Sequence, residues 1–188
     1  MIRVLVPLAE GFEELEAVTI VDLLRRAQFE VVAAGLTGKQ VTGSRDTIIV
    51  PDNVLEAVLE DEFDMIVLPG GLPGSDNLDK DPRIHRLLHK IAGAGKFVAA
   101  ICAAPKVLAN AGLLDGRRAT AFPGILEQIA VPEIRLCSDA VVRDGNVITS
   151  RGPGTAMDFA LELIEVLAGK ERREAVETPL QRNKKRTG

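Results

Sequence analysis

Two runs near the middle of the chain, FDMIVLP at 63–69 and FVAAIC at 97–102, are apolar almost throughout. A strand with one wet face alternates polar and apolar residues. A strand apolar along its length is covered on both faces, as inside a parallel sheet flanked by helices. Two further β-branched or apolar runs, IRVLVP at 2–7 and FEVVAAGL at 29–36, enclose EELEAVTIVDLLRRA at 13–27. That segment has helical periodicity, with acids at its start and arginines at its end, as the helix dipole favours. Pro82 opens a second helical stretch to about residue 95, and residues 104–112 and 154–168 read as two more. Weaker signals are a strand at 46–50, a short helix at 52–60, a strand at 119–122 and a hairpin at 140–150 around Asp144-Gly145. Lys170 onward reads as a short helix and a tail. Strand–helix alternation at this spacing predicts an α/β fold, an open, mainly parallel sheet with helices on both faces.

At 188 residues, without internal repeat, low-complexity block or linker, the chain reads as one domain over 1–188, with a basic, flexible tail at 181–188. No apolar run approaches the roughly 18 residues of a membrane span, and the N-terminus lacks the cationic region of a signal peptide. The expectation is a cytoplasmic protein that makes no membrane contact. A net charge of −4 disfavours nucleic acid as a stable partner. The two cysteines, Cys102 and Cys137, form neither a metal-ligand spacing nor a disulfide framework. His85 and His89 stand four apart but have no companion ligand, so no metal is expected. Phosphate-loop, dinucleotide and serine-elbow glycine patterns all fail on spacing.

Chemistry concentrates at Ile101-Cys102-Ala103-Ala104-Pro105. Cys102 ends a buried strand just before a helix, and ligands of open α/β sheets bind at the carboxyl ends of strands. A thiol there meets a helix N-terminus, and the N–H groups of small Ala103 and Ala104 point where an oxyanion would form. A buried structural cysteine is the equally weighted alternative. Cys137, in irregular sequence, reads as a bystander. The proton partner has to be a carboxyl, because no histidine stands near a strand end. Glu16 heads an apolar helical stripe (Ile20, Leu23, Ala27), and so does Glu13 (Ala17, Ile20, Leu24), so periodicity leaves both open. Desolvation would raise either pKa and keep the carboxyl protonated as a donor. Gly70-Gly71, after another buried strand, permit close backbone approach and a further oxyanion N–H, or form a plain turn.

Several longer stretches then fall into one pattern. G-F-E-E-L-E-A at 11–17, D-L-L-R-R-A at 22–27, S-R-D at 44–46, V-L-P-G-G at 67–71, A-A-I-C-A-A-P at 99–105 and T-S-R-G-P-G-T at 149–155 occur in order along nearly the whole chain. Together they resemble the ThiJ/PfpI superfamily, specifically its Parkinsonism-associated deglycase branch with YajL-type bacterial members. The resemblance implies a flavodoxin-like, class I glutamine amidotransferase-like three-layer sandwich and a homodimer. It implies Cys102 as a nucleophile of low thiolate pKa, readily oxidised to sulfinate, with Glu16 as its protonated partner. It further implies oxyanion binding by the Gly71 and Ala103 N–H groups. Arg45, Asp22 and Arg26 match polar positions near the pocket or dimer interface, and Pro179 a position that reaches the partner's pocket. Phe122 stands where many members carry a histidine, as in YajL-type proteins, so a Cys–His dyad and PfpI-type protease chemistry are not expected.

The implied activity is cysteine-dependent and needs no cofactor. It is hydrolysis of methylglyoxal or similar small reactive aldehydes, or deglycation of early glycated amines. The same oxidisable cysteine would also serve a redox sensor or chaperone, and a non-catalytic binding module is the plainest alternative.

Overall fold

A computed structural model describes residues 1–182 of the chain. The basic tail read at 181–188 therefore lies almost entirely outside the described residues. In chain order the strands and helices are β1 (Arg3–Leu8), α1 (Glu14–Arg26), β2 (Glu30–Gly35), β3 (Val41–Thr42), β4 (Ile48–Ile49) and β5 (Asn53–Val54). There follow β6 (Met65–Leu68), α2 (Gly74–Lys80), α3 (Pro82–Gly93), β7 (Phe97–Ile101) and α4 (Pro105–Asn110). The chain continues through β8 (Arg118–Ala119), β9 (Arg135–Leu136), β10 (Val141–Asp144), β11 (Val147–Ser150) and α5 (Ala156–Glu177).

The main sheet runs β10-β11-β7-β6-β1-β2-β5, and all its pairings are parallel except β10 with β11. Successive side chains on a strand point to opposite faces, and here the two sets enter separate cores. Leu5, Ile66, Leu68, Val98 and Ala100 pack with Leu78 of α2, Leu87 and Leu88 of α3 and Val107 of α4. Val4, Val6, Met65, Val67, Ala99 and Ile101 pack with Ile20 and Leu24 of α1 and Phe159 and Leu163 of α5. Each Val, Leu, Ile, Met or Phe among them contributes roughly 1.5–3 kcal/mol by burial. The result is the expected three layers, with the fully apolar runs of β6 and β7 at the centre.

The chain steps from β1 to β2 on one side and returns to β6 on the other. A crevice opens at the carboxyl ends of strands where a parallel sheet reverses its order in this way. The α1 entry, the loop after β6 and the residue after β7 all lie at that end.

Three local expectations are corrected, and one helix forms where none was expected. The stretch expected as a helix at 52–60 begins as strand β5. Asp52 accepts from Ala33 N at 2.8 Å and from Arg25 at 2.5 Å, which ties it to the sheet edge before a single 3₁₀ turn at Leu55–Val58. Helix α2 occupies GSDNLDK, which reads as loop. Ser75 N donates to Gly71 O at 2.8 Å, Asn77 N to Pro73 O at 2.9 Å, and Leu78 is buried, so tertiary contact overrides poor propensity. The strand expected at 119–122 shrinks to Arg118–Ala119 and pairs with β9 outside the main sheet. The hairpin turn is Gly145-Asn146, since Asp144 pairs with Val147. Helix α5 runs on to Glu177, but Gly169 (φ 84°, ψ 169°) breaks its helical backbone, consistent with a separate short helix from Lys170.

Candidate active site

Cys102 follows β7 directly. Its N–H donates to Ser150 O at 2.9 Å and its carbonyl accepts from Phe122 N at 2.8 Å. Between these two anchors its φ is +63°. A left-handed backbone at a non-glycine residue costs roughly 1–3 kcal/mol, borne here by both hydrogen bonds and the buried neighbours Ile101, Ala103 and Ala104. The bend turns the thiol out of the strand direction while leaving it half-buried.

Glu16 is the buried carboxyl of the first turn of α1, at 0% exposure. Its Oε2 accepts from Gly70 N at 2.8 Å, and the Cys102 thiol is its other polar neighbour. Oε1 has no hydrogen-bond partner among the described residues. Glu13 faces a different environment: it caps α1 and accepts from the Ser44 hydroxyl at 3.1 Å. Of the two acids that the stripe pattern left open, Glu16 is the one buried beside the thiol. Burial pushes the Glu16 carboxyl up to about 7, helped by the charge of Glu13 and opposed by the Gly70 N–H and the thiol.

Burial also pushes the Cys102 thiol up to about 12, reinforced by the charge of an ionised Glu16 and the hydrogen bond to it. The N–H groups of Ala103 and Gly71 pull the other way. The low thiolate pKa implied by the resemblance is therefore not produced beside an ionised Glu16. The two groups titrate as a pair. Once Glu16 holds a proton, its repulsion is gone and its O–H donates to sulfur, leaving burial as the remaining upward cause.

The glycines explain the close approach. A methyl on Gly70 would lie 2.7 Å from both Cys102 Cβ and Glu16 Oε2. Gly71 has φ +91°, and a methyl there would meet Glu13 N at 2.4 Å. Gly71 and Ala103 present their N–H groups to the sulfur. Helix α4 has only six residues, so these local N–H groups outweigh any long-helix dipole.

Phe122 joins the site through its backbone bond to Cys102, and its ring is 49% exposed. The other candidates stand apart from the thiol. Arg45 sits exposed between β3 and β4, and its N–H donates to Glu14 Oε1 at 2.7 Å. Asp22 and Arg26 form an exposed ion pair at 2.7 Å on α1. Pro179 is exposed in the 3₁₀ turn Thr178–Leu180. Among the described residues, none of these four makes a side-chain hydrogen bond or ion pair to Cys102 or Glu16. Cys137 is half-buried, with its thiol 3.5 Å from Arg135 O and beside Arg118. His85 Nε2 lies 2.8 Å from Asp79 O, and no metal-holding cluster of His, Cys, Asp or Glu occurs among the described residues. Two backbone groups take parts that the sequence reading did not assign to them. Gly70, which clasps Glu16, was signalled by its doublet with Gly71. The Ser150 carbonyl was not signalled, because it depends on the register of β11 against β7.

The family model for the DJ-1/PfpI family matches residues 2–166. The chain belongs to the DJ-1/PfpI family. Protein dj-1beta of Drosophila melanogaster, a member by name, is 47% identical over 89% of this chain and 90% of its own length. The crystal structure of Drosophila melanogaster DJ-1beta superposes with a TM-score of 0.92 at 44% identity, covering 97% of this chain and 99% of the other. The glutathione-independent glyoxalase DJR-1.2 of Caenorhabditis elegans is 36% identical over 91% of each chain. The flavodoxin-like, mainly parallel α/β architecture is thus that of its DJ-1 neighbours. Among the described residues no helix is long and apolar enough to cross a membrane.

Proposed function

We propose that this protein is a cysteine-dependent enzyme of the glyoxalase or deglycase type, acting on reactive dicarbonyls such as methylglyoxal or on early glycated amines. The observation that carries the reading is a buried carboxyl, poised near neutrality, against a thiol that two backbone N–H groups also face. The glyoxalase name of the Caenorhabditis elegans relative supports the same class. In this scheme the Cys102 sulfur attacks the aldehyde carbon and forms a C–S bond. The carbonyl oxygen becomes an oxyanion between the Gly71 and Ala103 N–H groups and takes up a proton. Glu16 takes the proton from the thiohemiacetal carbon, giving an enediol, and returns it to the neighbouring carbon while the hydroxyl proton passes to that carbon's oxygen, which converts the adduct into a thioester of a 2-hydroxy acid. Water cleaves the thioester and frees the thiol. Oxidation of one carbon balances reduction of the next, so no outside oxidant enters and Cys102 takes the place of a thiol cofactor.

Replacing Cys102 by serine is expected to lower kcat/KM for methylglyoxal at least about 100-fold. Full turnover by Cys102→Ser in a steady-state assay would sink the mechanism. A half-buried thiol beside a protonated carboxyl also supports oxidation to a sulfinate, and with it the redox-sensor or chaperone role. Cys102-dependent sulfinate formation without dicarbonyl turnover would favour that second reading.

A homodimer is part of the proposal. Leu15 (53% exposed) and Val18 (50%) on α1, with Ile48 (60%) and Val50 (70%) at β4, present apolar area to solvent. Large apolar patches of this kind mark interaction sites. Asp22, Arg26, Arg45 and Pro179 would serve at the interface or reach across it.

A further inference from the structure

The T-S-R-G-P-G-T stretch is tied to Cys102 through the Ser150 carbonyl and builds a wall beside it. A cavity of about 470 Å³ lies there, lined by Phe122, Pro123, Ala140, Arg151, Pro153 and Thr155 among others. Both of its walls are fastened to the Cys102 peptide: Phe122 through its own N–H, and Arg151 through the preceding Ser150 carbonyl. The wall is also fixed internally. The Ser150 hydroxyl donates to Ala140 O at 2.7 Å and lies 2.7 Å from Thr155 Oγ1, while Thr155 N donates to Gly152 O at 2.9 Å. Arg151 is the one ionisable side chain among the described lining residues. Its guanidinium makes one hydrogen bond, to Ser138 O at 3.1 Å, and no ion pair among the described residues. A guanidinium retains donors for an anion after a single backbone contact.

We propose that this cavity is an anion subsite, in which Arg151 selects carbonyl substrates that carry a carboxylate or phosphate group. The proposal rests on Cys102 as the reacting group, and its test is built to be read apart from turnover. With Cys137 replaced by serine throughout, Cys102 is alkylated by anionic iodoacetate and by neutral iodoacetamide at one pH. The readout is the ratio of the two rates within each variant, so a general change in reactivity cancels. The ratio is expected to fall about tenfold in Arg151→Met, the size of one lost charge-assisted hydrogen bond, and to stay near wild type in Arg151→Lys. An unchanged ratio in Arg151→Met overturns the proposal. Glyoxylate and inorganic phosphate, used as protectants of Cys102 against iodoacetamide, separate the two anion sources. Protection by either that weakens about tenfold in Arg151→Met supports the subsite. Protection by neither, or protection that survives the substitution, overturns it. Absence of methylglyoxal turnover in the wild type would sink the dicarbonyl reading alone and leave the alkylation ratio to judge Arg151.

Discussion

Glu16 is the residue whose behaviour follows most directly from its surroundings. A carboxyl raised from an ordinary 4.5 to about 7 holds a proton in the folded state that it loses in the unfolded one. Its neutral form fits the site, so its contribution is fully present below about pH 4.5 and is lost as pH rises through about 7. The loss is on the order of 3 kcal/mol for a group this deeply buried. Urea melts of the wild type across that window should show this fall, and Glu16→Gln, which keeps the shape and cannot ionise, should flatten it. A wild-type profile already flat between those pH values would show that the carboxyl does not change charge there. The choice of Glu16 over Glu13 lay beyond periodicity, since both head apolar stripes. The two are separated by the three-residue offset that turns one toward Gly70 and the other toward Ser44, and that offset depends on where the chain enters α1.

At the scale of elements, the turn from β6 into α2 is tightly constrained. Gly70→Ala places a carbon 2.7 Å from the Cys102 Cβ and the Glu16 carboxylate. It is expected to destabilise the fold by about 1–3 kcal/mol, as overpacking does. It should also alter the pH profile of Cys102 alkylation, because it pushes apart the two groups that share a proton. Denaturant melts and alkylation rates check both effects, and an unperturbed profile would mean the loop yields without moving either group. This turn also shows where sequence reading stopped. The runs of β1, β2, β6 and β7 were legible because burial on both faces leaves a continuous apolar signature. Helix α1 was legible from its stripe and charged ends. Helix α2 was not, because Gly74, Ser75, Asp76 and Asn77 are loop formers, held helical by Leu78 in the core and by carbonyls of the preceding turn. Strand β5 was missed for the matching reason, its pairing being dictated by Asp52 and the edge of β2.

For the whole molecule, the layers account for the position of the thiol, and the exposed apolar residues of α1 and β4 form the face on which the proposed dimer would rest. Introducing a charge on that face, as in Val50→Glu, is expected to shift sedimentation from dimer toward monomer, with little effect on folding because Val50 is 70% exposed. Unchanged sedimentation would remove this face from the interface. The resemblance carried by motifs spread from residue 11 to residue 155 foretold the architecture, and the match over 2–166 bears it out. The low thiolate pKa it also implied depends on the protonation of one neighbour, which no motif records.

Beside the sulfur stand positions where one added carbon collides: Gly70 with Cys102 and Glu16, and Gly71 with the segment that leads into α1. The rim, with half-exposed Phe122 and Arg151, meets no such limit. Variation among descendants of this chain therefore has an uneven outlet. Substitutions can accumulate at the rim, changing which molecules reach the thiol, while the chemistry proposed for Cys102 stays the same.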